Sequence, residues 1–375
     1  MRGQWLLASL LVLATLYFGL SILRWLAPGL LGIPPDLQIV RLAEEKPAFF
    51  ENIFRPEHEG TNGLLLTDPI VGVRARPLLA ATPDGLSGPT DLLGFRNPAV
   101  PNRADVIVIG DSQTYGNNAT LAQTWPQRIA RTLGDEGRLY AMATSGWGAV
   151  QYGDAFRNAL AFEPKVVVVA FYAGNDPMES FRLAYALEHW QELRPDPELD
   201  VDDAPREPPG DGWQGWNTTL PGGQALRFTP GRRLYSVQDH PTADAGWEIM
   251  ADVAARMAEV ADTRGVALVF TLIPTKERVF APLLAREGVA VSEPFAQLVA
   301  AERRRSAAFA ARLGALPSSV WVDLAAPLER ALLAGHETHR SDGDGHPMPA
   351  GYALIARTIA PAVAEQLADR ARPGS

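Results

Sequence analysis

Four short clusters in this chain of 375 residues combine reactive side chains with small ones. They are Gly110-Asp111-Ser112, Ser145-Gly146-Trp147-Gly148, Gly174-Asn175-Asp176, and residues 342–347 with the sequence DGDGHP. Together they supply a hydroxyl, an imidazole, carboxylates, a side-chain amide and backbone that a ligand can approach closely. Acyl transfer through a serine requires these groups.

Two of the clusters hold the groups that would exchange a proton. Ser112 is the candidate nucleophile, and His346 is the candidate base that takes its proton and later gives it to the leaving alcohol. A carboxylate must orient the imidazole, and we expect Asp344 to do so, with Asp342 as the alternative. Taken alone, Asp111 and Ser112 fit the cap of the following helix equally well.

The other two clusters are candidates for binding the substrate oxygen. An oxyanion hole is predicted from the backbone N–H groups of Ser112 and Gly146 and the side-chain amide of Asn175. Glycine at position 146 lets the backbone approach a substrate because it has no Cβ. Further candidate substrate-binding residues are Lys276, Trp147 and Tyr115. The charge of Lys276 would favour an acidic substrate, whereas the alternative is an ordinary surface lysine.

Apolar runs precede the clusters and alternate with helical segments. Strands are predicted at 106–109, 138–143, 165–172, 266–273 and 320–324, and helices at 121–133, 150–161, 243–264, 294–313, 328–334 and 350–368. Continuous apolar strands are typical of a parallel sheet covered on both faces. The pattern predicts an α/β fold, a three-layer α/β/α sandwich with a five-stranded parallel sheet. Because ligands bind beyond the carboxyl ends of such strands, the four clusters should converge on one rim.

The amino terminus predicts a membrane anchor. Residues 5–23 are apolar or small, and Arg2 and Arg24 flank them. About 17–25 such residues span a bilayer, whereas a cleaved signal peptide has an apolar region of only about 7–15 residues. We therefore expect an uncleaved transmembrane helix within 1–26. A Pro- and Gly-rich membrane-proximal collar should follow at 27–104, and the catalytic domain at 105–372.

Composition narrows the functional classes. The net charge of −9 and the pI near 5.3 leave no basic footprint, so nucleic acid is not an expected partner. The chain has no cysteine, which excludes disulfides and a thiolate nucleophile.

An insertion at about 194–241 is too rich in Pro, Gly and Asp for a core element. Its Trp213 and Trp216 would either stack on a sugar ring or pin the insertion to the body.

A metal site is the main chemical alternative. His336, His339, Asp344 and His346 fall within eleven positions, and imidazole and carboxylate ligands suit zinc. No other feature of the sequence requires a metal or a cofactor, so neither is predicted.

The clusters resemble the SGNH/GDSL hydrolase family, whose name records the residues that match Ser112, Gly146, Asn175 and His346. The resemblance covers about residues 60–370, outside the insertion, and is strongest in the segments GDSQTYG, SGWG, FYAGNDP and DGHPMPAGY. The segments GFRNP and IPTKERVF are similar to members associated with bacterial surface polysaccharides. Asp344-Gly345-His346 resembles the alginate O-acetyltransferase branch.

The resemblance implies a serine esterase, lipase or acyltransferase without a metal. The expected function is removal of O-acyl groups, O-acetyl above all, from a cell-surface glycan through an acyl-serine intermediate. The expected location is the bacterial inner membrane, with a single span and the catalytic domain in the periplasm or outside the cell. One alternative is a polysaccharide O-acetyltransferase served by an acyl-donor partner protein. The other is a glycan-binding or assembly protein that has kept the fold without catalysis.

Overall fold

The computed structural model describes residues 60–62, 65–134, 138–206 and 215–371. The predicted anchor at 5–23 lies outside these residues, as do Trp213 and the start of the predicted collar. No helix within the described ranges is long and apolar enough to cross a bilayer.

A five-stranded parallel sheet forms the centre of the fold. Its strands, in spatial order, are β5 (Leu139–Ala143), β4 (Val106–Gly110), β6 (Val166–Tyr172), β9 (Ala267–Ile273) and β10 (Ser319–Asp323). Every residue of β4, β6 and β9 is buried. Apolar side chains on both faces of these strands require cover on both sides, which explains their unbroken runs of Val, Ile and Leu. The prediction of this sheet is confirmed.

Helices cover both faces of the sheet. One layer contains α2 (Trp125–Leu133), α9 (Ala325–Leu333) and α10 (Pro349–Arg370). The opposite layer contains α3 (Ala149–Ala159), α4 (Asp176–Ala186), α6 (Pro241–Arg264) and α8 (Glu293–Gly314). The predicted three-layer α/β/α architecture is therefore confirmed.

Several helices differ from the sequence-based expectation. The segment predicted as one helix from 121 contains a 3-10 turn at Leu121–Gln123 before α2, and a separate one-turn helix, α1 (Ser112–Tyr115), precedes it. The helices α4, α5 (Pro230–Val237) and α7 (Lys276–Arg286) were not predicted. Proline stands in the first turn of α4 and α5, where its missing N–H costs nothing, and inside α7 as Pro282. If proline is interpreted only as a helix breaker, none of these three helices is predicted from the sequence.

The segment before β4 packs against the edge of the central sheet. It contains an antiparallel sheet of β1 (Gly60–Asn62), β2 (Leu65–Asp68) and β3 (Gly72–Ala75). Beyond it, the side chain of Asn97 donates to the carbonyl of Ala141 at 2.9 Å and accepts from its N–H at 3.0 Å. This amide pairs with the free edge of β5 as a neighbouring strand would.

The insertion contributes core elements, contrary to expectation. A hairpin of β7 (Trp216–Thr219) and β8 (Ala225–Phe228) precedes α5. Phe228 is buried with its ring centroid 5.3 Å from that of Phe295 on α8, and Trp216 lies 5.2 Å from the same ring. Trp216 therefore pins the hairpin to the body, and the polar composition of 198–206 hid this aromatic cluster.

Candidate active site

Ser112 lies in a tight turn between β4 and α1. Asp111 caps α1 by accepting from the N–H of Gln113 at 2.9 Å, and Gly116 ends it with a left-handed φ of 87°. A Cβ at Gly110 would overlap the Thr114 hydroxyl, so the chain can turn here only with glycine. The turn places the Ser112 hydroxyl just beyond the carboxyl end of β4.

Ser112, His346 and Asp344 form one hydrogen-bonded chain. His346 Nε2 lies 2.8 Å from Ser112 Oγ, and His346 Nδ1 lies 2.6 Å from Asp344 Oδ1. The backbone N–H of His346 also donates to Asp344 Oδ1 at 2.9 Å. The candidate nucleophile, the candidate base and the carboxylate expected to orient that base are thus brought together in the order that serine chemistry uses.

The carboxylate of Asp344 is held from a second side by Asn118, whose Nδ2 donates to Asp344 Oδ2 at 2.8 Å. Burial opposes ionisation of Asp344, but the hydrogen bonds and charge of His346, together with Asn118, hold the pKa of this carboxyl below its ordinary value. Asp344 therefore stays ionised throughout the neutral range. Asp342 instead accepts from the N–H of Asp344 at 3.1 Å and pairs with Arg340 at 2.7 Å. Its role is to shape the loop.

The three predicted oxyanion donors surround one cleft. Ser112, Gly146 and Asn175 line a cavity of about 260 Å³ together with Tyr172 and Arg232. Gly146 has a φ of 78°, and the position of a Cβ there faces open space. Glycine is thus needed for backbone conformation, and the same absence of a side chain leaves the N–H approachable.

A second cleft, of about 370 Å³, also has His346 among its walls. Its walls include Asp84, Leu86 and Tyr115 from the segments on either side of β4. Asn117, Ser145 and His346 line both clefts. The Ser112–His346 pair consequently lies where the two clefts meet.

Of the three candidate substrate-binding residues, Tyr115 lines the larger cleft, and its hydroxyl accepts from the N–H of Gly88 at 2.9 Å. Trp147 is buried and donates its indole N–H to the carbonyl of Val73 at 2.9 Å. It anchors β3 and is not a wall of either cleft. Lys276 is also buried, so its predicted position on the rim is wrong.

Lys276 belongs to a buried support behind the histidine loop. Its ammonium group donates to the carbonyl of Arg227 at 3.0 Å and to that of Asp342. Burial lowers the pKa of Lys276 to about 8, and the nearby Arg233 acts in the same direction. The Lys276 side chain is long enough to hold these two backbone carbonyl groups in place, so it does not select an acidic substrate.

Arg233 on α5 completes this support. Its guanidinium donates to the Tyr172 hydroxyl at 3.0 Å and to Glu277 at 3.2 Å. A Cβ at Gly345 would overlap it, so glycine between Asp344 and His346 lets the arginine lie directly under the loop. Neither Arg233 nor Glu277 was predicted as a site residue, because residues so distant along the chain carry no sequence signal of contact with the loop.

Asn117 and Asn118 were also missed. Asn117 Nδ2 lies 3.4 Å from His346 Nε2, and its carbonyl accepts from the Tyr352 hydroxyl at 2.9 Å. Asn118 has a φ of 67°, which asparagine tolerates better than most residues. The sequence signal that could have identified them is the pair of asparagines just after the turn that holds the candidate nucleophile.

The histidines of the metal alternative do not converge. His339 is buried with Nδ1 at 2.9 Å from the Thr338 hydroxyl, whereas His336 is exposed. Burial, with the charges of Lys276 and Arg233, lowers the pKa of His339 to about 3, so it is neutral. Within the described ranges, no three His, Asp or Glu side chains are grouped as metal ligands.

No family model and no curated protein matches the chain. Among solved structures, a GDSL-like lipase from Bacteroides thetaiotaomicron is 15% identical, with 69% of this chain and 87% of that chain covered and a TM-score of 0.36. A putative acylhydrolase from Bacteroides fragilis is 14% identical, with 71% and 91% covered and a TM-score of 0.36. An acetylxylan esterase from Geobacillus stearothermophilus is 12% identical, with 70% and 95% covered and a TM-score of 0.40.

Proposed function

We propose that the chain is a serine esterase that removes O-acyl groups, with O-acetyl esters of a cell-surface glycan as its substrates. The observation that carries the proposal is the aligned chain from Ser112 Oγ through His346 to Asp344, with distances of 2.8 and 2.6 Å. Ser112 and His346 from this hydrogen-bonded row also line the cleft that contains the candidate oxyanion donors.

The reaction follows from these positions. His346 Nε2 takes the Ser112 proton as Oγ attacks the ester carbonyl, and the tetrahedral oxyanion is stabilised by the donors of Ser112, Gly146 and Asn175. His346 returns the proton to the leaving alcohol, which leaves an acyl-Ser112 ester. Water, activated by the same imidazole, then releases the carboxylic acid and restores the serine. A sugar hydroxyl in place of water would make the protein a transferase.

The first test measures cleavage of p-nitrophenyl acetate by the purified protein. Ser112→Ala and His346→Ala should each lower kcat by at least about 10³-fold, because the two residues act as a unit. The matched control is Ser292→Ala, at the start of α8 and outside both clefts, which should retain full activity. Full activity in Ser112→Ala would refute the serine mechanism. Adding a sugar oligomer and detecting its acetylated product would identify the transferase.

We further propose that residues 5–23 anchor the enzyme in the bacterial inner membrane with the site facing outward. Support comes from the uninterrupted apolar run alone. The full chain should sediment with membranes after cell lysis and resist extraction by high salt, whereas a chain starting at residue 27 should remain in the supernatant. Release of the full chain by salt would contradict the anchor.

A further inference from the structure

The two clefts that meet at His346 differ in what they offer a bound ester. All three oxyanion donors line the 260 Å³ cleft. None of them lines the 370 Å³ cleft, which Asp344 lines and which shares His346 with the smaller cleft. An ester bound for attack must place its carbonyl oxygen among the oxyanion donors and its leaving oxygen near His346 Nε2, which protonates it. The acyl group and the alcohol must therefore leave the reacting carbon in different directions.

From this difference we infer that the 370 Å³ cleft binds the alcohol half of the substrate, and that it selects an uncharged or positively charged sugar over a uronic acid. This inference rests on the proposed esterase function and adds the chemical class of the alcohol. It assigns a substrate role to the segment 79–90, which reaches the site from outside the sheet.

The lining of the larger cleft suits a polyhydroxylated ligand. Hydroxyl and amide groups face it from Thr82, Ser87, Asn117, Asn118 and Ser145, between the apolar side chains of Leu79 and Leu86. Groups that both donate and accept match sugar hydroxyls, and the apolar patches match the C–H faces of a sugar ring. The alkyl chain of a fatty alcohol would offer these polar walls no hydrogen bonds.

The charges of the cleft disfavour an acidic ligand. Among its described walls, the charged side chains are the carboxylates of Asp84 and Asp344. Arg96 lies behind the Tyr115 ring, with its guanidinium carbon 5.0 Å from the ring centroid. All five of its N–H donors are used by the carbonyls of Gly85, Gly88, Tyr115, Gly116 and Ala119. A uronate carboxylate would thus meet two carboxylates and no lysine or arginine among these walls.

The position of the cleft is tested by filling it. Leu86→Trp should raise KM for an O-acetylated xylo-oligosaccharide at least about tenfold, and its effect on methyl acetate, whose alcohol is a single carbon, should be several-fold smaller. The control Leu199→Trp makes the same change on another loop, outside both clefts, and should alter neither substrate. Thermal unfolding of each variant identifies a folding defect.

The sugar class is tested with three O-acetylated oligomers of equal length: neutral xylo-oligosaccharide, cationic glucosamine oligomer and anionic oligouronate. Wild type should have the lowest kcat/KM on the oligouronate. Asp84→Asn keeps an oxygen that can accept from Leu86 N–H and the Thr82 hydroxyl, so the turn survives while the charge is removed. It should raise the ratio of anionic to cationic kcat/KM by about two- to fivefold, the effect of one exposed ion pair. Asp196→Asn, a similar exposed turn residue elsewhere, should not change the ratio.

Three outcomes would overturn the inference. Wild type could prefer the oligouronate, Leu86→Trp could affect methyl acetate and the oligosaccharide equally, or Leu86→Trp could change the preference for acyl chain length among p-nitrophenyl esters. The last result would place the acyl group in the larger cleft. Loss of the esterase proposal itself is distinguishable, since Ser112→Ala would then keep the activity on every ester.

Discussion

At the level of single residues, an asparagine outside the proposed triad holds Asp344 in place. Asp344 has one oxygen facing His346 and the other held by Asn118. The carboxylate is about one-third exposed, at 34% of its side-chain area, so water competes for the second oxygen. A fixed amide removes that competition and keeps the carboxylate in the plane that orients the imidazole.

We therefore predict that Asn118→Gly lowers kcat/KM on p-nitrophenyl acetate by about ten- to a hundredfold, the range expected for one hydrogen bond to a charged group. Glycine keeps the left-handed backbone at φ 67° and removes only the amide. Asn118→Ala should lose the same activity and also unfold at a lower temperature, because alanine is strained in that conformation. Wild-type activity in Asn118→Gly would show that the amide does not position Asp344.

At the level of elements, the sequence predicted the strands of the central sheet but not the contacts between segments that are distant along the chain. Unbroken apolar runs placed β4, β6 and β9 close to their observed ends, since burial on both faces permits few other residues. The less buried strands β5 and β10 were also placed close to their observed ends. The prediction that the four clusters share one rim followed, because the carboxyl ends of parallel strands lie at the same edge of the sheet. Ser112, His346 and Asp344 were predicted for that reason, and the structure brings them into one hydrogen-bonded chain.

Contacts between distant segments could not be predicted in the same way. Lys276 begins α7, shortly after β9, so it was expected on the rim. Its ammonium group instead lies near the rings of Phe228 and Phe280, at 5.1 and 5.7 Å from their centroids. Phe228 is supplied by an insertion whose composition argued against a core element. A side chain turns inward only when another element offers it partners, and a single sequence does not reveal which element that is.

At the level of the whole molecule, the interior holds several carboxyl groups whose pKa values are raised by burial. The pKa values of Asp91 and Asp111 rise to about 6 and that of Glu302 to about 7. Such groups favour the folded state while protonated, so their contribution to stability is full below the unfolded pKa and is lost as the pH rises through the folded value. His339 has the opposite sign. Its pKa is lowered to about 3, so its contribution is lost as the pH falls.

Glu302 offers the clearest measurement of this linkage, because a glutamine fits its hydrogen bonds. Its Oε1 accepts from the N–H of Thr275 at 3.0 Å and its Oε2 contacts the Thr275 hydroxyl at 2.5 Å, and an amide can donate to that hydroxyl instead. We predict that Glu302→Gln gains stability relative to wild type as the pH rises from about 4.5 to about 8, the range that spans the unfolded and folded pKa values of Glu302. The relative gain should be on the order of 3 kcal/mol, since each tenfold change in a protonation equilibrium corresponds to about 1.4 kcal/mol.

Urea unfolding of both proteins at each pH would measure this difference, and subtracting the two curves removes the opposing slope of His339. The exposed Glu293 begins the same helix, α8, so Glu293→Gln is the matched control and should follow wild type at every pH. A difference between Glu302→Gln and wild type that does not change with pH would mean that Glu302 has the same pKa in the folded and unfolded chains. In that case the ion pair with Arg278, at 3.9 Å, would compensate fully for burial.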